Sequence, residues 1–156
     1  MATRKKAGPE EQLDGFLAKY DPAIEAQARA ARRKMQARFP NAIEMVYDNY
    51  NALVIGYCPT EKPSEAILSL AMLPDHISLC FLQNAGKLPD PERLLVGSGR
   101  TARHIKLKGP EDLDLPAVKA LMKEAQRFAA KPFDRSVESV LVIRSISAKQ
   151  RPRRPK

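Results

Sequence analysis

The stretch Ile43–Cys58, IEMVYDNYNALVIGYC, decides the fold. Before it, apolar residues recur at helical spacing; within it the period drops to two. IEMVYD (43–48) alternates, NYN turns, and ALVIGYC (52–58) resumes, which is the pattern of a β-hairpin. The turn is rich in asparagine, which tolerates left-handed backbone and bonds its own main chain. Tyr47, Asn49 and Tyr50 surround this tip and are the first candidate ligand-binding residues, because they offer stacking surface and hydrogen bonds.

Upstream, EEQLDGFLAKY (10–20) places Leu13, Phe16, Leu17 and Tyr20 on one helical face, with Glu10 and Glu11 in the favourable first turn. Asp21-Pro22 reads as a cap followed by proline at the first helical position. It opens a second helix reaching about Arg38, with Ile24, Ala28, Ala31 and Met35 on one face. The other faces carry Arg29, Arg32, Arg33, Lys34 and Arg38, the only dense basic stripe in the body of the chain. Downstream, PTEKPS is a loop, AILSLAML (66–73) a third strand, Pro74-Asp75 a turn and HISLCFL (76–82) a fourth strand. The link to the next strand contains Asp90-Pro91-Glu92, the signature of a short helical turn through Leu95. ARHIKLK (102–108) is a fifth strand. A third helix follows, capped by Asp112 or Asp114, with a stripe of Val118, Leu121, Met122, Ala125 and Phe128. ESVLVIRSIS (138–147) reads as a last strand.

The order is therefore α-α-β-β-β-β-β-α-β. Short connections favour antiparallel neighbours, and three amphipathic helices are most simply buried together. The expected fold is α+β: an antiparallel sheet of five to six strands with the helices packed on one face.

The net charge of +9 is concentrated at the ends. Arg4, Lys5 and Lys6 lie near one end, and Lys149, Arg151, Arg153, Arg154 and Lys156 near the other, leaving the body nearly neutral. Residues 1–9 and 148–156 are expected to be disordered basic tails flanking a domain at 10–147, since AKQRPRRPK has nothing apolar to bury. Such tails raise affinity for any polyanion without reading its sequence. No apolar run approaches the roughly 20 residues that span a bilayer, and the first residues lack the apolar core of a secretory signal, so the expected location is cytoplasmic and no membrane partner is expected. Cys58 and Cys80 stand in apolar segments without the CxxC or histidine spacing of a zinc site. They read as reduced buried thiols, and no cofactor or metal ligand is assigned.

YDNYNALVIGY, the loop ending LLVGSGRTARHIKL, and DLPAVKALM occur in an order that resembles the YdhG-like family, the DUF1801 domain. The resemblance covers about Leu13 to Phe128 and implies an α+β fold related to frataxin-like and YjbR-like domains. Some relatives are described as frataxin-like iron chaperones, in which an acidic ridge on the first helix and adjoining strand holds iron. In this chain Glu10, Glu11 and Asp14 lie on the first helix, but the second is studded with arginine, whose charge opposes hard-cation binding.

The second candidate site is VGSGRTARHIKL (96–107). Amides of a glycine-bearing turn at Gly97, Ser98 and Gly99 can form an anion nest, and Arg103, His104 and Lys106 would add charge-assisted bonds. The segment lacks GxxxxGK[ST] and leads into a strand, so the helix dipole of a phosphate loop is absent. Gly97 and Gly99 would otherwise serve to reach positive φ. Strand parity sends Ile105 and Leu107 toward the helices and His104 and Lys106 to the other face, with Arg103 at the core's edge in an ion pair. Ser98 has no GxSxG context, the only histidines are His76 and His104, and the carboxylates show no paired spacing. The reading that follows is a non-catalytic binding or adaptor module for a small anionic or polar ligand or a protein partner. Nucleic-acid association through Arg29, Arg32, Arg33, Arg151, Arg153 and Arg154 is one alternative, and iron delivery, implied by the resemblance alone, is the other.

Overall fold

The computed structural model describes residues 7–155. Helix α1 (Pro9–Leu17) and helix α2 (Pro22–Arg38) precede strands β1 (Ile43–Asp48), β2 (Leu53–Cys58), β3 (Leu68–Met72), β4 (Ile77–Phe81) and β5 (Arg103–Leu107). Helix α3 (Pro116–Phe128) and strand β6 (Leu141–Ile146) complete the chain. The fold is α+β in the expected order, with one sheet arranged β5-β4-β3-β2-β1-β6. The first five strands form an antiparallel meander, but β6 lies parallel to β1, so the sheet is mixed rather than antiparallel throughout. The reason is directional. In a meander β1 and β5 run the same way, and a helical crossover delivers the next strand parallel to the one it left. A strand carried by α3 from β5 to the far edge must therefore meet β1 in parallel.

All three helices share one core with the sheet residues of a single parity: Val46, Leu53, Ile55, Leu70, Leu79 and Ile105 pack with Leu13, Met35 and Met122. Each such large side chain removed from water contributes about 1.5–3 kcal/mol. Tyr20, at the corner between α1 and α2, is fully buried. Its hydroxyl donates to the Met72 carbonyl at 2.7 Å and accepts the Leu53 amide at 3.2 Å, tying the helical corner to one end of the sheet. On the opposite face Ile43, Met45 and Cys58 form a smaller cluster that Val137, from the segment after α3, helps to cover.

Several local expectations change. Asp21 occupies the cap position of α2 but makes no capping hydrogen bond. Leu115, not Asp112 or Asp114, precedes α3; Asp112 accepts the Lys108 amide, and Asp114 pairs with Lys34. Asp90-Pro91-Glu92 makes a turn rather than a helix, because the Asp90 carboxylate bonds the Leu94 and Leu95 amides and Arg93 adopts φ 54°. Residues 1–6 of the expected basic N-terminal tail lie outside the described residues. Within the expected C-terminal tail, Gln150, Arg151, Arg153 and Arg154 bond the domain, and Arg153 is 5% exposed, whereas its neighbours stay exposed.

Candidate functional site

Parity places Glu44, Val46 and Asp48 on the helix-facing side of β1, so two carboxylates point inward and each requires a cation. Asp48, last in the strand, is fully buried. Its Oδ2 receives Lys19 Nζ at 2.9 Å, and its Oδ1 receives Arg153 Nη2 at 3.0 Å. Burial alone would push the Asp48 carboxyl up, but bonds from Gln150, Lys19 and Arg153 outweigh it and hold the group below the usual carboxylate range. The Asn49 and Tyr50 carbonyls, exposed by the turn that closes between Asn49 and Ala52, also accept from Arg153. The Arg153 guanidinium lies 6.0 Å from the centre of the Tyr20 ring. The Arg151 amide donates to the Tyr50 carbonyl at 2.8 Å, while its guanidinium stands 5.6 Å from the Tyr50 ring. The tip that the sequence marks for a ligand is thus held by the chain's own C-terminal segment.

This docking builds a groove of about 590 Å³ at the same end of the sheet. Leu73, Pro74 and Pro152 give it apolar lining, Asn51 contributes an amide, and Arg151 and Arg154 stand on its rim. Arg154 is oriented by a bond from its Nε to the Lys19 carbonyl at 3.2 Å, and lies 3.8 Å from Asp21. Asp75, beside Pro74, is turned to the His76 ring at 2.6 Å.

The loop at 97–106 belongs elsewhere. Cross-strand register links Arg103 to Phe81, Leu68, Tyr57 and Glu44, the start of β1, whereas the tip follows the end of β1. Arg103 and the tip therefore occupy opposite ends of the sheet. Tyr47 and Lys106 do share a row, through Val54, Ala71 and Ser78, but four strand spacings, about 19 Å, separate them. The two candidate features are not one site. Parity is as read for Ile105 and Leu107, both buried, and for exposed Lys106, while His104 exchanges main-chain hydrogen bonds with Val96. Only Gly97 has positive φ, 111°; Gly99 serves close approach instead, since a Cβ there would lie 2.7 Å from the Ala102 carbonyl oxygen. Arg103 makes no ion pair among the described residues: its Nε donates to the Gly99 carbonyl at 2.8 Å. The loop is pinned further by the Ala85 and Gly86 amides, which bond the Thr101 and Arg100 carbonyls. Ser98 is exposed and has no hydrogen-bonded base among the described residues.

The basic stripe of α2 is largely neutralised. Arg29 bonds Asp14 and Glu25, and Arg32 bridges Glu10 and Glu44. Burial works against the Arg32 charge, but bonds from Glu10 and Glu44 fix the guanidinium more firmly protonated than usual. Glu44 also accepts from Gln36 at 3.1 Å and from the buried Tyr57 hydroxyl at 3.1 Å. Of the three arginines singled out on this helix, only Arg33 has no ion pair among the described residues. The same bonds occupy the carboxylates of Glu10 and Asp14 on α1. Among the described residues no group of three or more histidine, cysteine, aspartate or glutamate side chains could hold a metal ion. Cys58 and Cys80 are free thiols, Cys58 pushed up to about 11 by burial and the nearby Glu65. No described helix is long and apolar enough to cross a membrane.

Sequence reasoning missed Asp48, Lys19, Tyr20 and Gln150. Parity in IEMVYD argues against an inward Asp48, since Ile43, Met45 and Tyr47 form the more apolar face and would leave Glu44 and Asp48 outside; the one signal is the surplus of arginine near residue 153. No known protein family, curated protein or solved structure matches the chain.

Proposed function

We propose that the chain is a YdhG-like, non-catalytic binding module whose ligand is a small anion carrying an apolar portion, taken at the groove beside the β1–β2 tip. One observation carries this reading: Arg151 and Arg154, each oriented by contacts to the domain, stand on the rim of a concave surface lined by Leu73, Pro74 and Pro152. A few placed polar groups over an apolar lining is the usual construction of a small-molecule site, and guanidinium suits carboxylate or phosphate. The family assignment is supported by YDNYNALVIGY, LLVGSGRTARHIKL and DLPAVKALM together with the element order. Cytoplasmic residence belongs to the same proposal.

The test is an amide-shift titration with phenyl phosphate, with inorganic phosphate as the control lacking an apolar portion. Shifts should cluster at Asn51, Leu73, Arg151 and Arg154 and vanish in the Arg151→Ala/Arg154→Ala variant. Shifts confined to Gly97–Lys106 would transfer the site to that loop and overturn the groove.

Nucleic acid is a second reading, favoured by the exposure of Arg151 and Arg154. Two phosphate contacts to a single strand give a log–log salt slope near −1.4. Binding of a short oligonucleotide with that slope, lost in the same double variant, is the expected result. A slope unchanged by the double variant would sink it.

A further inference from the structure

The geometry points to the Asp48 end of the sheet as a recognition site for an arginine-bearing extended peptide, a site the chain's own C-terminal segment fills in cis. This inference does not rest on the groove reading, because it needs only Asp48 and its surroundings. The receptor is built from the body of the domain. Asp48 supplies a carboxylate whose side chain is 1% exposed, the turn supplies the Asn49 and Tyr50 carbonyls, and the Tyr20 ring forms a wall. Lys19 Nζ pairs with Asp48 at 2.9 Å and also donates to Gln150 Oε1 at 3.0 Å, so when the segment leaves, the carboxylate keeps a cation from the body of the domain that has lost one of its own bonds. The combination of planar aromatic wall, carboxylate and carbonyls matches guanidinium and not ammonium, which lacks the planar fork.

Two observations mark the cis segment as displaceable. Its hold is mainly polar: the Arg151 main-chain amide bonds the Tyr50 carbonyl, the Gln150 side-chain Nε2 bonds the Asp48 main-chain carbonyl, and Arg153 fills the pocket, while Arg151, Pro152, Arg154 and Pro155 remain exposed. The fit is also incomplete, because the Arg153 Nε is buried with no hydrogen-bond acceptor among the described residues. A buried donor without a partner is unfavourable, and an arginine arriving on a different backbone is free to approach without it. A peptide in trans must still compete with a tethered segment whose effective concentration is in the millimolar range. The pocket therefore answers to partners only when the segment is released.

The experiment uses the full chain carrying Arg153→Ala, in which the pocket is vacated and Asp48 retains Lys19. The probes are methylguanidinium, methylammonium and an acetylated peptide of sequence QRPRRPK. The peptide and methylguanidinium should shift the Asn49, Tyr50 and Leu53 amides saturably, and methylammonium should not. Adding Asp48→Asn should weaken the peptide at least about tenfold. The wild-type chain, its pocket occupied, should bind it at least about tenfold more weakly than Arg153→Ala. Equal binding by wild type and Arg153→Ala, equal shifts by the two small cations, or no shifts at these amides would overturn the proposal. A second measurement on the wild-type chain covers a variant that fails to fold. Raising salt should accelerate hydrogen exchange of the Arg151 amide while leaving the Ile55 and Leu70 amides protected. If the Arg151 amide exchanges only together with those core amides, the segment is not displaceable and the inference fails.

Discussion

Replacing Glu44 by glutamine will destabilise the domain more than replacing Asp48 by asparagine, although both carboxylates are buried on the same face of β1. The Glu44 side chain is 4% exposed and its partner Arg32 only 13%. Arg32 sits within α2, where the helix prevents it from following a lost partner into water. Removing one member of such a pair costs about 3–5 kcal/mol. Glu10 remains on the guanidinium and the new amide keeps one acceptor oxygen, so a value of about 3 kcal/mol is expected. At roughly 2–4 °C per kcal/mol for a chain of this size, the melting temperature falls by about 6–12 °C. Asp48 differs because its main partner can leave. Arg153 belongs to a short segment held mainly by hydrogen bonds and ring contacts, so the loss is limited to what that docking contributes, about 2 kcal/mol for the charge-assisted bonds. Lys19, 44% exposed, adds little to that after solvent screening. Urea unfolding followed by far-ultraviolet circular dichroism, with calorimetry alongside, measures both. An Asp48→Asn loss equal to or above that of Glu44→Gln, or a Glu44→Gln loss below about 1 kcal/mol, would refute the argument that escape of the partner decides the cost.

Three further outcomes follow from the same structure. The C-terminal segment should stay docked from neutral pH down to about 5 and release as pH falls through the acidic range. Asp48 is held below its ordinary value of about 3.9, so its stabilising contribution is full above that value and lost below the depressed one. Arg151 and Tyr50 amide shifts against pH measure this, and release near pH 6–7 would contradict it. Gly97→Ala should cost about 1–2 kcal/mol, because φ 111° excludes a β-carbon without strain; its chemical-shift changes should remain within residues 96–104. Cys58 and Cys80 should resist a disulfide-exchange reagent at pH 8 in the folded chain, since burial raises both thiols, Cys58 to about 11, and both should react at once in urea.

Strand and helix positions were legible because each segment carries one clear period. Leu53, Ile55 and Leu70 follow from alternation, as do Ile105 and Leu107, but in IEMVYD alternation favours Ile43, Met45 and Tyr47 over Val46, and the structure turns Val46 to the helices. What alternation does not encode is the edge to which α3 carries β6, and hence that Glu44 pairs with Leu141 in parallel. The candidate site was half legible. The tip around Asn49 and Tyr50 was noticed for its turn chemistry, but its occupant was not. RPRR was read by composition as solvated charge, and composition is silent about a buried aspartate more than 100 positions away that one of those arginines can reach. The glycine loop shows a related limit. Gly97 and Gly99 look alike in sequence, yet one meets a dihedral requirement and the other a steric one.

The parallel pairing of β1 with β6 also has a consequence for how the chain is made. Translation releases Ile43–Asp48 long before Leu141–Ile146, so one side of β1 waits with unpaired main-chain groups while the rest of the meander assembles. A nascent chain paused after β5 therefore presents an open, largely apolar border suited to unwanted strand addition. A permuted gene in which β6 is translated ahead of α1, α2 and β1, with those helices serving as the crossover that parallel neighbours need, would shorten that exposure and should raise the yield of soluble chain during rapid synthesis.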